Sequence, residues 1–177
     1  MRQTKAKGII INSQVIFEKD RRIEIFSPTL GKHNLLVKGG NSSKSKYGGR
    51  ISVANYCDFV IYKGKSFDIL MQCDILSPFF EIRKDFNKIS LVFYFFDIIR
   101  KVTVYGQVNA ILFELVLESL ERLDKREDLN SVMCFFHQRF LGIEGILRED
   151  DGVVTESVFQ TKFEEYSGKK IMKPLFI

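Results

Sequence analysis

The chain has 177 residues, 45% of them hydrophobic, and carries a formal net charge of +5 with a pI of about 9.1. That length and apolar content suffice for one substantial core or two small ones, and they exclude disorder as the general state. Three widely spaced cysteines, Cys57, Cys73 and Cys134, form no CxxC pair; a disulfide framework and a structural zinc site are not expected, and buried apolar thiols in a reducing compartment are.

From the N-terminus, Met1 to Lys5 leads into an apolar run of only Ile9 to Ile11, too short for a signal-peptide core. Short β-type blocks follow one another up to about residue 76: Gly8 to Ile11, Ile23 to Phe26, Leu35 to Val37, Asp58 to Tyr62 and Phe67 to Met71. Turn chemistry separates them, at Ser27-Pro28 with Gly31-Lys32, at Gly39-Gly40-Asn41-Ser42, and at Lys63-Gly64-Lys65, which reads as a hairpin turn. Five short strands with one long glycine-rich connection predict a small closed barrel of the OB type.

After Ser77-Pro78 the apolar period becomes helical. Asp85 to Val102 is a predicted helix with Ile89, Val92, Phe93, Phe96 and Ile99 on one face. Asn109 is the expected N-cap of a second helix to Leu123, with Ile111, Leu112, Leu115, Leu120 and Leu123 inward. Ser131 to Leu141 is a third, and Thr155 caps a fourth that runs to Tyr166 before Gly168 stops it. The greasiest stretch, Ile89 to Ile99, contains Asp97 and falls far below the ~20 residues of a membrane span. The expected architecture is α+β, an N-terminal OB-type β-barrel at about 1–77 followed by a C-terminal α-helical bundle at about 78–177, in a soluble cytoplasmic protein.

Charge is distributed unevenly. The first 50 residues hold eleven Lys or Arg against three acids, a local charge of +8 that leaves −3 for the rest. A split of this kind directs a polyanion to one end of the molecule. The segment Lys38 to Arg50 concentrates the relevant chemistry: four glycines allow close backbone approach to a phosphate, Asn and Ser donate hydrogen bonds, and Lys38, Lys44, Lys46 and Arg50 supply salt-dependent attraction. Lys32 stands beside them, and Tyr47 is a candidate base-stacking residue. The segment is no P-loop, because no GxxxxGK[ST] precedes a helix. Lys19, Arg21 and Arg22, interrupted by Asp20, read as a solvated face or a local ion-pair set. His33 and His137 stand alone without a hydrolase or metalloprotease motif. The acidic run Glu149-Asp150-Asp151 ahead of Gly152 reads as an exposed turn, with a metal-dependent nuclease as the rival interpretation. Neither a metal nor a cofactor is expected, and no enzyme activity.

Several stretches together resemble the RecO-type recombination mediators. They are Lys7-Gly8-Ile9-Ile10-Ile11; Glu18-Lys19-Asp20-Arg21 with Phe26-Ser27-Pro28 and Gly31-Lys32; Val37-Lys38-Gly39 with Lys44-Ser45 and Gly48-Gly49; Tyr62-Lys63-Gly64 with Phe67-Asp68; and Pro78-Phe79-Phe80. Phe136 to Ile146 and Tyr166 to Phe176 resemble later segments of the same family. The resemblance implies an OB-fold with a helical C-terminal domain, binding of single- and double-stranded DNA, and strand annealing. It also implies loading of RecA, together with RecR, onto strands coated by single-stranded-DNA-binding protein, in the cytoplasm at the nucleoid. Three features depart from the family pattern. No cysteines occupy the place of its four-cysteine zinc module, Ile51-Ser52-Val53 stands where a Gln-Pro pair is common, and Cys134-Phe135 replaces a basic pair. A generic OB-fold RNA- or single-strand-binding factor is the competing binding-class reading.

Overall fold

The computed structural model describes residues 2–147, 152 and 154–175. It separates into two compact units, 1–78 with 104–110 and 79–103 with 111–177. The sequence reading had left 104–110 in the helical half; in the structure Gly106 N–H donates to the Lys32 carbonyl at 2.9 Å and Tyr105 bridges Lys32, so this segment packs with the strands.

The first unit is a closed five-stranded barrel. Its strands are β1 (Gln3–Val15), β2 (Arg21–Ser27), β3 (Gly31–Val37), β4 (Tyr56–Tyr62) and β5 (Ile69–Ser77), in spatial order β1-β2-β3-β5-β4 with β4 returning to β1. The β3–β5 pairing is parallel and the others antiparallel, which is the OB-type arrangement. Closure depends on β1, which pairs with β4 through Gln3–Ile9 and with β2 through Ile9–Val15, with a register shift between Ile10 and Asn12. Gly8 stands where the strand changes partner. A Cβ there would lie 2.8 Å from the Phe26 carbonyl oxygen, so only glycine permits the approach. Alternate residues point inward, and Ile10, Ile23, Ile25, Leu35, Phe59 and Ile61 are fully buried in the core. Each contributes about 1.5–3 kcal/mol of burial.

β5 begins at Ile69 rather than Phe67 and runs on to Ser77, beyond the expected end at Met71. Register with β4 continues through Gln72, Cys73, Asp74 and Ile75, and Cys73 supplies the inward side chain. Backbone pairing thus carries the strand through a stretch whose outer face is polar and half apolar.

The second unit contains α1 (Phe80–Arg83), α2 (Phe86–Val102), α3 (Ala110–Asp124, from Ile111 on), α4 (Leu129–Ile143) and α5 (Glu156–Ser167). Asp85 caps α2 by accepting from Asn87 and Lys88 N–H, and Thr155 caps α5 by accepting from Val158 N–H. Gly168, at φ 66°, ends α5 in the left-handed conformation, as the sequence predicts. α4 starts two residues earlier than expected because Asp128 accepts from Ser131 N–H. Two helix faces differ from the sequence expectation: Phe93 and Ile111 are exposed, while Leu91, Tyr94, Phe95 and Ile98 fill the interior of α2. A helix that packs over a wide arc hides its true inner face from a count of apolar residues. Cys134, expected to be buried, is exposed on α4. Among the described residues no helix is long and apolar enough to cross a membrane.

Candidate nucleic-acid interface

The long connection Lys38 to Asn55 is an ordered cover over the weakest seam of the barrel. β3 and β5 share a single registered pair, Leu36 with Ile69, so carbonyls of β5 beyond it lack strand partners in β3. Side chains from the connection take over. Tyr47 Oη donates to the Leu70 carbonyl at 2.7 Å, Lys46 Nζ approaches the Met71 carbonyl at 3.4 Å, and a short 3-10 helix, Gly48–Ile51, places Ile51 in the core. Asn55 Nδ2 holds that helix through the Gly49 and Arg50 carbonyls at 3.0 and 2.9 Å. The Cys57 thiol beside Cys73 keeps the Cys73 thiol below its ordinary range, against the opposing effect of burial.

This placement divides the six residues singled out in the sequence. Lys38, Lys44, Lys46 and Arg50 are exposed. Tyr47 is 5% exposed within the barrel core, and its hydroxyl closes the seam. Lys32 is 5% exposed, with its ammonium 4.7 Å from the centre of the Tyr105 ring. Both side chains are engaged by contacts within the barrel unit. Of the two readings of Lys19, Arg21 and Arg22, the solvated face fits the structure: Lys19 and Arg22 are exposed, Arg21 is half-buried, and among the described residues no ion pair is found for them. Arg21 donates to Ser13 Oγ and Asn41 Oδ1, and Arg22 to Gln14 Oε1. The acidic run Glu149-Asp150-Asp151 lies outside the described residues.

Lys38 lines a cleft of about 620 Å³ between the end of β3 and the β4–β5 turn. Four cations line it, Arg2, Lys38, Lys63 and Lys65, around Tyr62 and Phe67. Phe67 is 61% exposed. Large exposed aromatics beside cations are what a stacked base with flanking phosphates requires. The turn is held open by Asp68. Its carboxylate accepts from Gly64 N–H at 3.2 Å and from His33 Nε2 at 2.8 Å, while its carbonyl accepts from Leu36 N–H at 2.8 Å. Lys63 lies 3.6 Å from the same carboxylate but is 53% exposed, a weak surface pair that leaves its charge accessible. Gly64 is obligatory, because a Cβ there would sit 2.0 Å from the Phe67 carbonyl oxygen.

A second turn joins this end. The β1–β2 connection presents Phe17, 66% exposed, and is tied to the start of the long connection by Asn41 N–H to Lys19 O at 2.9 Å and Gly39 N–H to Asp20 Oδ1 at 2.8 Å. Arg2, Lys63, Lys65 and Phe67 were not among the site residues expected from the sequence, where Lys63 to Lys65 read only as a turn. Their signal was present: in OB barrels the β1–β2 and β4–β5 loops and the β2–β3 face carry the ligand, so a basic hairpin turn followed by Phe67 marks a candidate site once the barrel is accepted.

Fold and cleft together define an OB-type barrel with a basic, aromatic-edged end. Residues 1–79 match the family described as Recombination protein O N terminal. The chain is 34% identical over 137 residues to the DNA repair protein RecO of Acetivibrio thermocellus, covering 76% of this chain and 55% of that protein. It is 29% identical over 143 residues to the DNA repair protein RecO of Alkaliphilus metalliredigens (80% and 58%) and 26% identical over 151 residues to that of Halalkalibacterium halodurans (85% and 59%). The barrel thus matches the RecO N-terminal family model over its whole extent, and the chain is similar to RecO DNA repair proteins along most of its length. It spans a little over half the length of these curated relatives.

Proposed function

We propose that this protein acts in DNA repair and recombination as a non-catalytic mediator that holds DNA on the end of its barrel. The observation that supports this most is the cleft in which Arg2, Lys38, Lys63 and Lys65 surround Tyr62 and the exposed Phe67. The cations neutralise phosphates and release counterions, and Phe67 stacks on a base without reading sequence. Lys44, Lys46 and Arg50 extend the positive field along the long connection. Screening two polyanions at one basic end speeds their pairing, which is annealing without nucleotide or metal. We extend the proposal to recombinase loading with RecR on strands coated by single-stranded-DNA-binding protein, ending in RecA assembly, and the similarity to RecO supports it.

A salt-titrated binding and annealing assay on short DNA strands tests this. Replacing Lys38, Lys63 and Lys65 with Gln should lower the slope of log affinity against log salt by ~0.7 per lost phosphate contact on single strands. Replacing Phe67 with Ala should cost about 1–3 kcal/mol of single-strand affinity and leave the slope unchanged. Equal binding of RNA and DNA with no acceleration of annealing would replace the mediator reading with a plain OB-fold binding module. Unchanged binding in both variants would move the DNA away from the cleft.

A further inference from the structure

A smaller cleft of about 280 Å³ opens on the barrel unit, lined by Ser13, Arg21, Gly40, Gly48, Ile51 and Ser52 among others. Its chemistry is one guanidinium, two hydroxyls and glycine backbone, with no carboxylate in the lining. Arg21 is half-buried and held in a fixed pose: Nε donates to Ser13 Oγ at 3.1 Å and Nη1 to Asn41 Oδ1 at 3.3 Å. The Asn41 amide is itself oriented, because its N–H donates to Lys19 O at 2.9 Å and Nδ2 to Glu18 O at 3.2 Å, which turns its carbonyl oxygen toward the guanidinium.

Both acceptors on Arg21 are neutral. They position the side chain without compensating its charge, and among the described residues no ion pair includes Arg21. The adjacent acid, Asp20, accepts from Gly39 N–H with Oδ1. A planar fork of donors, pre-aimed and uncompensated, facing hydroxyls and glycine backbone, suits a tetrahedral oxyanion.

We propose that this cleft is a phosphate seat that takes one phosphate of the bound strand. The proposal rests on the reading that the barrel holds DNA and deepens it. Lys38 lines the first cleft and Gly40 the second, two residues and at most about 7 Å of chain apart. A strand whose base stacks on Phe67 therefore has Lys38 and Arg21 available to successive phosphates on the two sides of one turn.

The test uses the full chain and two probes. In amide-resolved NMR, inorganic phosphate at millimolar concentration should shift the Gly40 and Gly48 N–H and Arg21 Nε–H resonances, whereas chloride at matched ionic strength should not. Arg21→Gln should abolish those shifts. With a short oligothymidine, Arg21→Gln should lower the salt slope by ~0.7, so that affinity falls about threefold less than wild type between about 50 and 200 mM salt. If phosphate shifts none of these resonances in the wild type, the seat is refuted, whatever Arg21→Gln does to folding. If the wild type binds oligothymidine and the slope is unchanged in a folded Arg21→Gln protein, the seat is not used by the strand, while the DNA reading stands. Phosphate shifts in a protein that binds no oligothymidine would overturn both the DNA reading and the strand assignment.

Discussion

Removing the Tyr47 hydroxyl separates a ligand-stacking ring from a structural one. The ring is 5% exposed, and Oη donates 2.7 Å to the Leu70 carbonyl with Met71 O a further 3.4 Å contact. Tyr47→Phe keeps the packing and leaves the Leu70 carbonyl without that donor in a buried seam. The net loss of one hydrogen bond, about 0.5–1.5 kcal/mol, rises toward about 1–3 kcal/mol where the acceptor stays dry. Tyr47→Ala also empties the space between the seam and Ile51, for about 3–5 kcal/mol. Denaturant unfolding with a common slope gives both values, and DNA affinity is measured where both variants are folded. Stability should fall in the order wild type, Phe, Ala, with affinity for single strands unchanged in Tyr47→Phe. A Tyr47→Phe protein of wild-type stability, or Tyr47→Ala losing DNA affinity while fully folded, would refute the assignment of this ring to the seam.

His137 is buried, stacked 3.8 Å from the Phe159 ring centre and bonded to Tyr94 Oη at 2.8 Å; burial holds its pKa down to about 3 from 6.5. The fold binds the neutral ring, so its contribution is complete above pH 6.5 and is lost as pH falls from there toward about 3, reaching about 2 kcal/mol at pH 5. Unfolding curves at pH 7.5 and 5 should show this loss in the wild type and not in His137→Phe; parallel pH dependence in the two proteins would reject it. Gly64→Ala should destabilise by about 1–3 kcal/mol through the clash with the Phe67 carbonyl and reduce single-strand binding with it, readable by thermal unfolding and fluorescence anisotropy. Lys32→Met, beside Tyr105, should change unfolding more than the salt slope of DNA binding, and a slope lowered by ~0.7 would return Lys32 to the interface.

The barrel and the helical half were legible in the sequence because both are written in local periods. Alternation with turn residues marks strands, and the 3.6-residue repeat with Asp85, Thr155 and Gly168 at its ends marks helices. The resemblance to RecO was legible in the order and spacing of short stretches that include Gly8, Gly31 and Gly64, and the structure places each of these glycines where backbone meets backbone. The basic N-terminal half was equally visible, because charge counts need no coordinates. What each of these charges faces is not local information. Lys32 and Tyr47 read as ligand-facing by type and neighbourhood, yet the parallel seam between β3 and β5 is short of strand partners, and Tyr47 completes it. Conversely Arg2, Lys38, Lys63 and Lys65 come from three separate places in the chain and meet only because β1 closes on β4 and β5 returns beside β3. Sequence determined which residues have the chemistry to meet a polyanion; closure of the barrel decided which of them the core consumed and which it left at the surface.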